Sequence, residues 1–266
     1  MSGMIGRGLA SIVSVLALGY LALVALAFAA QRRLLFPAPP LVAAPTPRSQ
    51  LVDRPETVLL VREAPTPEAP WVLHFHGNGE QLAWTEWMAE RWAALGAGFV
   101  AVEYPGYGLA REKGAPSEAS IVRAADAAAR YLLEERRVPN ERLIVSGLSL
   151  GSGPAVELAS RGVGGRLVLF TPYTSLPDVA ARALPFLPVR LLMRDVFDSA
   201  ARAPRVMQPA LVVHGTDDEV VPFALGEALG AALKGARLLR VEGGRHSDVA
   251  AREDVWRELG RFAAGP

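Results

Sequence analysis

The sequence predicts an α/β protein built on a doubly wound, mostly parallel sheet and preceded by one apolar N-terminal helix. Three observations carry this prediction. Short apolar runs alternate along the chain with segments of helical length and periodicity. Several of the runs are apolar almost throughout, as expected of parallel strands covered on both faces. Residues 8–30 form 23 positions without a charge, dominated by Leu, Ala and Val.

That N-terminal run exceeds the roughly 20 apolar residues a helix needs to cross a bilayer. A cleaved signal peptide would use Arg7 as its basic end and Ala27-Phe28-Ala29 as its cleavage site. Its apolar region would usually hold only about 7–15 residues, so an uncleaved single-pass anchor is the expectation. Arg7 on one side and Arg32 and Arg33 on the other nearly balance, and set no orientation for the rest of the chain.

A proline-dense connector follows, with Pro37, Pro39, Pro40, Pro45 and Pro47. It cannot sustain a helix. The expected division is an anchor over 1–36, a connector over 37–50 and one large domain over 51–266. Within that domain the strands are expected at 57–61, 71–75, 99–103, 143–146, 167–170, 210–214 and 237–241. Helices are expected at 81–95, 117–136, 152–160, 223–233 and 248–262. A short lid is expected at about 173–209, with its apolar, proline-punctuated stretch 184–193 as a helical cover.

Composition removes several function classes. A net charge of +1 without a basic cluster interleaved with aromatics gives no footprint for nucleic acid. The absence of cysteine excludes disulfides, thiolate zinc sites and a cysteine nucleophile. None of the four histidines, His74, His76, His214 and His246, pairs with another at the helical spacing of a metal site.

The chemistry gathers around Gly147-Leu148-Ser149-Leu150-Gly151, which joins a predicted strand to a predicted helix. Such a turn holds a serine clear of the sheet, and side chains at Gly147 or Gly151 would collide with the neighbouring strand or helix. Serine is a poor nucleophile until a base takes its proton and a third group orients the base. In this architecture the partners follow in the order Ser, acid, His, each in a loop after a strand. His246 is the only histidine C-terminal to a suitable acid, and the acid loop offers both Asp217 and Asp218. Spacing does not separate these two. A developing oxyanion needs backbone N–H donors, for which Leu150 and Asn78 are the candidates. His76 is expected to shape the turn, and His74 and His214 to be satisfied core or shell residues. Tyr104 and Tyr107 sit on a glycine-proline loop over the same sheet edge, either as substrate-binding residues beside the site or as a rim of the core.

Taken together, these residues resemble the α/β-hydrolase superfamily, and most of all its membrane-anchored serine hydrolases related to protein depalmitoylases and lysophospholipid lipases. The matching pieces are Arg33-Leu34-Leu35-Phe36-Pro37, His76-Gly77-Asn78-Gly79, Tyr104-Pro105-Gly106-Tyr107-Gly108, the Ser149 pentapeptide, His214 to Pro222, and Gly244-Arg245-His246. The resemblance implies the α/β-hydrolase fold, selects Asp218 as the acid, and implies ester or thioester cleavage on a small-molecule or lipid acyl substrate. It calls for no cofactor and no metal. Peptide or amide cleavage on the same triad, and a non-catalytic membrane-tethered scaffold, are the alternatives.

Overall fold

The computed structural model describes residues 2–40 and 46–265. Residues 41–45 of the expected connector lie outside them. The first helix, α1, runs over Ser2–Leu35, and its stretch Leu9–Leu35 is long and apolar enough to cross a membrane by length and composition. It outlasts the expected 8–30 because Gln31 to Leu35 are good helix formers, and Pro37 then prevents continuation. Phe36, at its end, is buried in the core of the body.

Eight strands form one sheet: β1 (Gln50–Asp53), β2 (Val58–Arg62), β3 (Trp71–Phe75), β4 (Gly98–Val102), β5 (Leu143–Leu148), β6 (Arg166–Phe170), β7 (Ala210–Gly215) and β8 (Arg237–Val241). Their order across the sheet is β1-β2-β4-β3-β5-β6-β7-β8. The two pairings of β2, to β1 and β4, are antiparallel, and all later pairings are parallel. The edge strand β1 was not expected, and the other seven stand within a residue or two of their predicted positions.

Alternate side chains point to opposite faces of a strand, and here they enter two separate cores. Leu59, Leu73, Val145, Leu169 and Val212 join one. Leu60, Val72, Ile144, Val168 and Val213 join the other. The first face is covered by α3 (Glu118–Arg130), α4 (Ser152–Ser160) and α8 (Phe223–Ala232). The second is covered by α2 (Glu86–Ala94) and α9 (Glu253–Ala264), which meet through an edge-to-face contact of Trp92 and Trp256. With both faces covered, the inner parallel strands can be apolar almost throughout. That explains the apolar runs in the sequence.

Three predicted helices are interrupted. Before α2 the chain makes a 3₁₀ turn at Leu82–Thr85. Beyond α3 it widens into a π turn at Tyr131–Glu135. Ahead of α9, Arg252 is extended, and Ala250 gives its carbonyl to the Trp256 indole at 2.8 Å. The lid also differs from expectation. Its main helix is α5 (Leu176–Ala183), followed by single turns α6 (Val189–Leu192) and α7 (Ser199–Arg202). Pro185 and Pro188 break the stretch that was expected to be helical over 184–193. α5 instead starts on the Ser175 cap, whose hydroxyl accepts from Asp178 N.

Candidate active site

The turn after β5 contains the local strain that its sequence implies. Ser149 adopts φ 50°, a left-handed conformation uncommon for a residue with a side chain. The flanking glycines are required by close approach. A Cβ on Gly147 would lie 2.3 Å from Gly151 O, and one on Gly151 would lie 2.1 Å from Phe75 O at the end of β3. The first N–H groups of a helix have no partner inside it. Leu150 N–H, in the 3₁₀ turn Ser149–Gly151 leading into α4, is one of these. Tyr173, which the sequence did not single out, donates its hydroxyl to Leu150 O at 3.1 Å, on the peptide that follows.

Two further loops bring an acid and a base to the same edge. His246 Nε2 lies 3.1 Å from Ser149 Oγ, and His246 Nδ1 lies 2.8 Å from Asp218 Oδ2. With Nδ1–H donated to the carboxylate, Nε2 keeps a lone pair toward the serine. Asp218 is buried, and Oδ1 accepts from Val220 N at 2.9 Å and Val221 N at 2.7 Å. His214 Nε2 lies 3.2 Å from Asp218 Oδ2 and 2.9 Å from Val221 O. Burial opposes ionisation of Asp218, but hydrogen bonds from His214, His246 and Val221 N outweigh it, holding the carboxyl well below the usual carboxylate range. Asp217 takes no part in this cluster; its Oδ1 accepts from the neighbouring Thr216 hydroxyl. The role of His214 was signalled in the sequence only by its place at a strand end, four residues before Asp218.

The loop after β3 lies beside the serine turn. A Cβ on Gly77 would be 3.7 Å from Leu148 Cγ. Gly77 N donates to Glu80 Oε2 at 2.7 Å, and Asn78 Nδ2 donates to Leu35 O of α1 at 2.7 Å. Beneath the loop stand Tyr104 and Tyr107, both fully buried. Tyr104 donates to His76 O at 2.7 Å, and Tyr107 to Asn78 Oδ1 at 2.8 Å. Neither offers a surface on which a substrate could rest. Their place is behind the loop, which they position. Burial pushes both phenols up, with Glu103 adding to the effect, so both remain donors.

His76 is buried against Glu103, with Nε2 and Oε1 3.3 Å apart but out of line for a hydrogen bond. Burial disfavours its charged form, yet Glu103 and Glu80 outweigh that and raise its pKa. His74 accepts or donates to Ser146 Oγ at 3.1 Å, and burial together with the charge of His76 pushes it down to about 3. Both are structural. Among the described residues, no group of three His, Asp or Glu side chains could hold a metal ion.

No protein-family model matches the chain. An uncharacterized protein of Mycobacterium tuberculosis is 36% identical over 180 residues, covering 67% of this chain and 63% of that protein. Alpha/beta hydrolase domain-containing protein 17B of Xenopus laevis is 31% identical over 204 residues, covering 74% of this chain and 68% of that protein. The chain belongs to the α/β-hydrolase superfamily. The solved structure of an esterase from Pyrococcus furiosus has the same fold, with a TM-score of 0.68, 15% identity, and coverage of 85% of this chain and 98% of that one. Against the mycobacterial relative, this α/β-hydrolase spans a little under two thirds of the partner's length.

Proposed function

We propose that this α/β-hydrolase is a membrane-tethered serine hydrolase that cleaves carboxylic esters or thioesters of acyl substrates through an acyl-enzyme. The observation that carries the reading is the unbroken relay from Ser149 Oγ to His246 at 3.1 Å and from His246 to Asp218 at 2.8 Å. In this reading Ser149 Oγ attacks the acyl carbonyl while its proton passes to His246 Nε2. The carbonyl oxygen, now negative, is held by the N–H groups of Leu150 and Asn78. Collapse of the tetrahedral intermediate expels the alcohol or thiol, which leaves with the proton from His246. Water then attacks the ester on Ser149, gives its proton to His246, and releases the acid and the free serine. Asp218 remains ionised throughout, fixing the tautomer and stabilising the transient imidazolium. Every step uses groups of the chain, the substrate and water.

Residues 1–36 serve as the single-pass anchor, 37–50 as connector and 51–266 as the hydrolase unit, its strand β1 beginning one residue earlier at Gln50. A fluorophosphonate probe should label the folded wild-type chain and not Ser149→Ala. Intact mass of the labelled protein, recovered from membranes after carbonate washing, should include the first 29 residues. An unlabelled folded wild type would sink the serine mechanism, and a mature chain beginning at Ala30 would sink the anchor.

A further inference from the structure

α1 is more than a tether to the body. Its last turns are fastened to the lid by polar contacts at both ends. Tyr20 donates to Phe186 O at 2.9 Å. Arg32 pairs with Asp195 at 2.8 and 3.3 Å, and that buried carboxylate also accepts from Glu118 N at 2.9 Å. Gln31 Oε1 accepts from Arg194 N at 2.9 Å, and its Nε2 donates to Phe28 O at 2.9 Å. Between these ties lies a cavity of about 250 Å³, lined by Ala27, Phe28 and Leu35 of α1 and by Ala180, Leu187 and Met193 of the lid, among others. Its one polar lining residue is Gln31, whose amide is engaged with backbone.

We propose that this cavity receives the acyl chain of the substrate, so that the membrane helix forms one wall of the binding site and the chain enters from the bilayer. The inference rests on the hydrolase reading and names its substrate class: a fatty-acyl ester or thioester resident in a membrane. Three observations select that occupant. First, a lining that is apolar but for Gln31 and holds no charged group offers little to a headgroup or to an ionic side chain, and matches a hydrocarbon chain. Second, one wall of the cavity is tied to the loop that flanks the serine turn. Leu35 lines it, and Leu35 O accepts from Asn78 Nδ2 in the loop after β3, where a Cβ on Gly77 would lie 3.7 Å from Leu148 Cγ, next to Ser149. Third, the outer end opens where lipid would be. About 20 residues of α1 fill the hydrocarbon thickness, so a span beginning at Leu9 ends near Phe28, within the cavity wall. Around it the lid exposes Leu184, Phe186 and Leu191, at 38%, 58% and 83% of their surfaces, an apolar patch suited to the bilayer interface.

The test uses the full-length chain in detergent micelles and p-nitrophenyl esters from butanoate to hexadecanoate. Burial of each added methylene should raise kcat/KM about four-fold until the cavity is filled. Ala27→Phe and Ala180→Phe fill it from opposite walls. Each should cut kcat/KM for dodecanoate and longer esters at least ten-fold more than for butanoate, with thermal stability unchanged. Two walls giving one result separates occlusion from misfolding of either variant. Equal losses for short and long esters, or an unaltered chain-length profile, would overturn the proposal. So would a change confined to the oligomeric state, which would assign the cavity to an interface between copies. Butanoate hydrolysis that survives Ser149→Ala would defeat the hydrolase reading itself, an outcome distinct from all of these.

Discussion

Replacing Gly151 by alanine is the sharpest test of whether the serine turn is held by backbone contact. The new Cβ would sit 2.1 Å from Phe75 O and 2.8 Å from His76 O, both backbone atoms that cannot swing aside. Ordinary contact begins at 3.4 Å, so the end of β3 and the start of α4 must separate by about 1.3 Å. Overpacking of this kind costs about 1–3 kcal/mol of stability. The catalytic effect should exceed the stability effect, because the displaced peptides carry Leu150 and the Asn78 loop. A misplacement of about 1 Å can lower the rate by about 10²-fold, close to 2.7 kcal/mol of transition-state stabilisation. Gly230→Ala in α8 is the control: its Cβ would meet Val212 Cγ2 at 3.8 Å and Leu238 Cβ at 4.0 Å, both ordinary contacts. That change should stabilise the helix by about 1 kcal/mol, raising Tm by roughly 2–4 °C with no effect on activity. Butanoate hydrolysis and thermal unfolding, measured on both variants, decide the matter. A Gly151→Ala enzyme with wild-type kcat/KM and Tm would refute the argument.

Two further outcomes follow from the loops around the turn. Tyr107→Phe keeps the buried ring and removes the hydroxyl that Asn78 Oδ1 accepts from at 2.8 Å; a lost hydrogen bond of about 1 kcal/mol should lower Tm by roughly 2–4 °C and kcat/KM by up to about five-fold, and an unchanged rate would deny that Tyr107 positions the loop. Asp218 has a carboxyl held below its unfolded value of about 3.9, so its ionised form contributes stability above that pH and loses it as pH falls toward the folded value. In urea unfolding at stepped pH, the advantage of wild type over Asp218→Asn should therefore shrink below about pH 4; a gap that widens there would reverse the sign of the argument.

The sheet was legible because its inner parallel strands, covered on both faces, are apolar along most of their length. Trp71–Phe75 and Arg237–Val241 stand at their predicted bounds. β1 escaped for the complementary reason. Its four residues lie at the sheet edge, mostly exposed, and are held by pairing to β2 rather than by burial. The serine turn was legible because its demands are local: Gly147 and Gly151 leave room for backbone within a few residues or on the adjacent strand. Asp218 could not be told from Asp217 by spacing. What distinguishes them is direction, with one carboxylate turned inward onto two histidines and the other left with Thr216.

The association of α1 with the lid was beyond sequence reasoning for a physical reason. An apolar run of this length predicts a lipid-facing helix on every side, and nothing in it announces that one stripe faces protein. The contacts that create the cavity pair residues far apart in the chain, as Tyr20 with Phe186, Gln31 with Arg194 and Arg32 with Asp195. Each is a polar tie at the margin of an apolar surface. Such ties fix relative position better than apolar packing, which is indifferent to small slides. A helix that only anchored the chain would gain nothing from being fixed to the lid, since any flexible connector holds a domain near a membrane. Fixing it matters only if the register between helix and lid matters. A cavity whose two walls come from these two elements, with Leu35 of one wall hydrogen-bonded to Asn78, supplies that reason.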